Sequence, residues 1–149
     1  MTPLILYLLL AANSYLLDVA PLDKDPAYRK VINQRLVYPS VPYEYKVALM
    51  VYARFSINER GHVQNVKIIK HPTREFYHKF YDVIVESMLK RLPPLNPTYV
   101  GHYILPVAFS LIDYHNGQLL SPDDIGYHGE QFNSMLLQKV EARGTLRTY

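Results

Sequence analysis

Between Val47 and Ile57 every odd-numbered residue is apolar (Val47, Leu49, Val51, Ala53, Phe55 and Ile57), while Lys46, Tyr52, Arg54 and Ser56 stand among the even positions. Period-two alternation turns one side of an extended chain toward a core, so this stretch predicts a strand with one buried face. Asn58-Glu59-Arg60-Gly61 reads as a hairpin loop, with Gly61 free to take a positive φ that other residues resist. The segment from His62 to Lys70 predicts an antiparallel return strand. Its apolar register slips from Val63 to Val66 and Ile68; since a one-residue slip swaps faces, a bulge near Gln64 and Asn65 reconciles the two halves.

Helical spacing governs two other stretches. Asp25-Pro26 is a start signal, because Asp caps free N–H groups and Pro at the first helical position loses no hydrogen bond. Tyr28, Val31, Ile32 and Leu36 then share one face, and Pro39 and Pro42 end the helix by moving the residue before each out of helical geometry. After His71-Pro72, Thr73 is placed to cap a second helix with Glu75 in its first turn. Phe76, Phe80, Val83, Ile84, Ser87 and Met88 form its predicted inner face, with Phe80 in the core against Leu49, Val51 and Phe55. Arg74, Lys79, Asp82, Glu86 and Lys90 are left for water, and Tyr77 and Tyr81 read as packing residues.

That helix stops at Leu92-Pro93-Pro94. A third strand is expected from Tyr99, with Tyr103, Leu105, Val107, Phe109 and Leu111 on one face. Pro106 lies inside it and cannot donate to a ladder, which predicts an edge strand whose missing N–H falls on the open side or at a bulge.

The two ends differ from this middle. Residues 3–17 are apolar apart from Asn13 and Ser14, and charges follow at Asp18, Asp23, Lys24 and Asp25. The outline fits a secretory signal over residues 1–20, although the α-amine is its only basic group before the apolar run. An uncleaved inner-membrane anchor, which needs about 20 apolar residues, and a buried helix of the domain are the alternatives. Export to the periplasm is the reading adopted, with a mature start between Asn13 and Pro21. Residues 113–149 form a C-terminal extension: a turn-rich stretch to Glu130, then an expected helix over 130–143. Phe132, Met135, Leu136 and Val140 share one side of that helix, Gly144 stops it, and Leu119, Leu120 and Ile125 help to dock it.

At 149 residues, 49% apolar and 19% charged, the chain has enough material for one core and not for two domains. The net charge of +3 comes from scattered Lys and Arg, with no run or face that would follow a nucleic acid backbone. Without cysteine there are no disulfides, thiol nucleophiles or thiolate metal sites. The six histidines, His62, His71, His78, His102, His115 and His128, make no HxxxH pair, so no metal is expected. Asp123-Asp124 after Ser121-Pro122 reads as a turn or helix start rather than an acid–base pair. No G-x-S-x-G elbow, P-loop or G-x-G-x-x-G occurs, so the chain reads as a non-enzyme with no catalytic residue, no cofactor and no small-molecule substrate.

The order strand, strand, helix, strand, with Tyr38-Pro39 ahead of it, resembles the C-terminal domain of TonB over Tyr38–Leu111. The resemblance is carried by VALMVYARFSINERGHVQNVKII, by MLKRLPPLNP and by GHYILPVAFSL. Leu36-Val37 stand where the best-known members carry Gln-Pro before the Tyr-Pro pair. The resemblance implies an α+β domain over residues 25–112, in which a three-stranded antiparallel sheet packs against two helices, with the C-terminal helix added beyond it. It implies a periplasmic adaptor that takes the N-terminal peptide of an outer-membrane transporter by β-strand addition, with inner-membrane motor subunits as further partners where energy is transduced. The outer edge of the third strand is then the partner site, formed by Tyr38, Gly101, His102, Tyr103, Ile104, Leu105, Pro106, Val107 and Ala108. The alternative is an envelope structural or regulatory protein that uses the same fold for another protein without energy transduction.

Overall fold

A computed structural model of the chain describes residues 20–69, 74–123 and 133–147. Among them, helix α1 spans Pro26–Arg35 and helix α2 His78–Lys90. The strands are β1 (Leu49–Ile57), β2 (Val63–Ile68), β3 (Gly101–Asp113), β4 (Leu119–Leu120), β5 (Met135–Leu136) and β6 (Val140–Leu146). All six belong to one sheet, with β1 between β2 and β3. The β1–β2, β1–β3 and β3–β4 pairs are antiparallel, and β5 and β6 run parallel to β3.

Local chemistry explains the elements. The Asp25 side chain accepts the Tyr28 N–H at 2.9 Å and Pro26 opens α1, as the sequence predicts. At the β1–β2 turn Gly61 has φ +80°, and a β-carbon there would stand 1.9 Å from the Leu95 carbonyl oxygen, so glycine is needed for both backbone shape and space. In the hairpin Arg54 faces Lys67 and Ser56 faces Gln64, which leaves Phe55 opposite two residues, Asn65 and Val66. This is the expected bulge.

The odd-numbered residues of β1 from Leu49 to Ile57 are buried together with Tyr103, Leu105, Val107 and Phe109 of β3. Tyr28 and Ile32 of α1 and Tyr81, Val85, Met88 and Leu89 of α2 close the same core.

Three expectations are corrected. The sheet has six strands rather than three, because the chain after Asp113 rejoins it. The C-terminal helix over 130–143 is not formed: residues 130–132 lie outside the described residues, and 133–143 run extended through β5 into β6. The outer side of β3 carries a row of main-chain donors and acceptors, and pairing with that row outweighs the local helical preference of this segment. Lastly, the buried face of α2 is shifted from the one expected, although Met88 is inward and Ile84 packs partly buried against the core as expected. Phe76, Phe80 and Val83 are 60%, 37% and 59% exposed, while Tyr81, Val85, Met88 and Leu89 point inward. Tyr45 supplies the outer aromatics with partners, lying 5.7 Å from Tyr77 in a stack and 5.1 Å edge-on from Phe76. Thr73, Ile125 and the apolar stretch 3–17 lie outside the described residues, and among those described no helix is long and apolar enough to cross a membrane. Leu119 and Leu120 pair with Ile112 and Leu111 as β4 instead of docking a helix.

Candidate functional site

The orientation of β3 follows from three hydrogen bonds. Ile69 N–H donates to the Tyr52 carbonyl at 2.8 Å, so Tyr52 turns its main chain toward β2. Its cross-strand partner Pro106 therefore exchanges no bond with it, and the nitrogen of Pro106 faces away from β1. On that outer side Leu137 N–H donates to the Ile104 carbonyl at 2.9 Å, and Tyr114 N–H donates to the Leu146 carbonyl at 3.0 Å. Even-numbered β3 residues thus address the C-terminal segment.

That segment adds to β3 in two pieces. β5 sits opposite Tyr103 and Ile104, β6 sits opposite Val107–Asp113, and residues 137–139 pass Leu105 and Pro106 without ladder pairing. The break falls where proline has no N–H to offer. The edge expected to receive a partner is therefore occupied by the chain's own strands. Tyr103, Ile104, Leu105, Pro106, Val107 and Ala108 are buried there, while Gly101 is half-buried and His102 exposed.

The open edge has moved to β6. Because Leu146 points its carbonyl at β3, alternation turns Glu141, Arg143 and Thr145 outward; all three are exposed, and Lys46 Nζ donates to the Thr145 carbonyl at 3.2 Å. A groove of about 650 Å³ runs between this edge and the extended segment 36–41. Tyr38 is the one residue of the expected partner site that lines it.

Tyr38 is held firmly. Its hydroxyl donates to the Val47 carbonyl at 2.7 Å, accepts the Val47 N–H at 3.0 Å and lies 2.9 Å from the Tyr81 hydroxyl. Burial, and then the hydrogen bond with Tyr81, push its phenol well above the ordinary tyrosine range. The ring rests on Gly144, where a β-carbon would fall 2.6 Å from two of its carbons.

The groove offers outward main-chain groups on one wall and an aromatic ring on the other. Lys46, Arg143 and Arg147 bring positive charge, against one carboxylate among the described lining residues, Glu141, which pairs with Arg143. At the far end of the segment Asp23 anchors it by accepting the Gln138 N–H at 3.0 and 3.1 Å; burial raises the Asp23 carboxyl, and the Gln138 N–H opposes that shift. Among the described residues no cluster of His, Asp and Glu is arranged to hold a metal ion.

Sequence reasoning missed the β6 edge, although a signal was present. Val140, Ala142, Gly144 and Leu146 alternate with Glu141, Arg143 and Thr145, which is the period of a strand. Comparison of the chain with protein-family models, with curated proteins and with solved structures finds no match.

Proposed function

We propose that this chain is a protein-binding adaptor that captures an extended peptide from a partner by adding it to the β6 edge of its sheet. The observation that carries this reading is the groove itself: an exposed strand edge with outward donors and acceptors at Glu141, Arg143 and Thr145, faced by the fixed segment 36–41. Strand addition draws affinity from main-chain hydrogen bonds and selectivity from side-chain pockets. The peptide class that the sequence resemblance implies is the N-terminal segment of an outer-membrane transporter, met in the periplasm.

Occupation of the β3 edge by β5 and β6 favours a second reading. Here the protein is a structural or regulatory component of the envelope that uses its new edge for a different protein and transmits no force. Amide shift mapping with a transporter N-terminal peptide separates the two. Perturbations centred on residues 141–145 and 36–41 are expected for capture of a transporter. Silence there with the transporter peptide, together with binding of another envelope protein at the same residues, supports the second reading; silence with both rejects the site.

A further inference from the structure

The charge pattern along β6 fits a second copy of the same strand. We propose that two copies of this chain pair antiparallel, β6 to β6, about a two-fold axis at Ala142. The pairing rests on the open edge on which peptide capture also rests, so the two exclude each other and self-pairing regulates access to that edge. Among the described residues no strand lies on the outer side of β6. A bare edge invites pairing with another chain, and a closed two-fold pair limits it to one partner.

Register selects the axis. Antiparallel strands bond only where the outward main-chain groups of one meet those of the other, and on β6 these belong to Glu141, Arg143 and Thr145. A two-fold axis at Glu141 or at Arg143 sets that residue opposite its own copy, and like charges facing each other across strands destabilise the pair. An axis at Gly144 sets Arg143 opposite Thr145, whose carbonyl Lys46 Nζ already holds at 3.2 Å. An axis at Ala142 sets Glu141 of each copy opposite Arg143 of the other. Opposite charges then meet at both outward positions, on one face of the sheet.

Packing agrees with this register. Ala142 sits at the axis in a non-hydrogen-bonded pair, where α-carbons approach to about 4.5 Å and a methyl side chain fits without crowding. Val140 of each copy falls opposite Gly144 of the other, where the ring of Tyr38 lies. Within one copy Glu141 and Arg143 already pair, and both are exposed, so exchanging partners between copies leaves neither charge unpaired. Lys46 caps the Thr145 carbonyl and confines the new ladder to the bonds of Glu141 and Arg143. So short a ladder suits a reversible pair that a competing peptide can open.

Sedimentation equilibrium of the full chain over rising concentration tests this with the native sequence, E141R, R143E and the double variant E141R/R143E. The native chain should form a dimer, and each single variant should associate about tenfold more weakly, because like charges then face each other. The double variant should regain the native association. So should an equimolar mixture of E141R and R143E, in which arginine meets glutamate at each contact, and that rescue also shows that both variants fold. A native chain that stays monomeric, single variants that associate undiminished, or a mixture that stays monomeric would each overturn the proposal. Addition of a transporter N-terminal peptide separates it from the capture reading. A dimer that persists with no peptide bound upholds the pair and rejects capture, whereas a native monomer that binds the peptide upholds capture and overturns the pair.

Discussion

The ring of Tyr38 lies so close to Gly144 that a β-carbon at 144 would stand 2.6 Å from ring atoms Cγ and Cδ1. This contact joins the Tyr-Pro segment to the last strand. Tyr38 is at the same time hydrogen-bonded to Val47 and Tyr81, so it couples β6 to the entry of β1 and to α2. Gly144→Val should cost about 1–3 kcal/mol by overpacking. In a double-mutant cycle with Tyr38→Ala, the cost of the valine should shrink, since the ring it strikes is gone. Fully additive losses in denaturant melts would mean the two residues do not touch.

Helix α2 carries its own test. Leu89 is fully buried and Leu89→Ala should lose about 2–5 kcal/mol. Phe80 is 37% exposed, and Phe80→Ala should lose about 1 kcal/mol. The reverse order of the two losses would restore the face that sequence periodicity first suggests.

Alkaline unfolding should be steep. Burial raises the phenols of Tyr28, Tyr38, Tyr99 and Tyr103 above the ordinary value of 10.0, with hydrogen bonding or nearby charge adding to each. A raised folded-state value favours the neutral form, so this contribution is fully present below the unfolded-state value. It is lost as pH rises from there through the folded-state values. Denaturant midpoints measured from pH 8 to pH 11.5 should fall above about pH 10, and Tyr38→Phe should flatten the fall. A midpoint constant over that range would contradict the burial of the Tyr28 and Tyr38 hydroxyls.

The elements set by local chemistry were legible in the sequence. The β1 strand, the Asp25-Pro26 start, the Gly61 turn and a bulge near Asn65 follow from nearest neighbours, and the structure has each of them, although Tyr52 and Ser56 on the second side of β1 are buried as well. What was not legible depended on distant partners. Aromatics occur on both candidate faces of α2 and its entry, and in the fold Phe76 and Phe80 pack beside Tyr45 while Tyr81 turns into the core. Near the C-terminus, Met135, Leu136 and Val140 fit a helical stripe as well as Val140, Ala142 and Leu146 fit a strand. The choice between them lies in the open side of β3, over 25 residues earlier in the chain. The candidate site moved for the same reason: Pro106 does mark the outward side of β3, and the chain's own end occupies that side.

Capture at the β6 edge is tested most directly by Arg143→Pro. The nitrogen of residue 143 points away from β3, so proline there removes an outward donor and leaves the β3–β6 ladder intact. Affinity for a transporter N-terminal peptide should be measured by calorimetry for the native chain and for this variant, alongside Arg143→Ala as the control for the lost charge. The account predicts binding by the native chain, modest weakening in Arg143→Ala and loss of binding in Arg143→Pro with the melting temperature retained. Equal affinity in Arg143→Pro and Arg143→Ala would contradict strand addition at this edge.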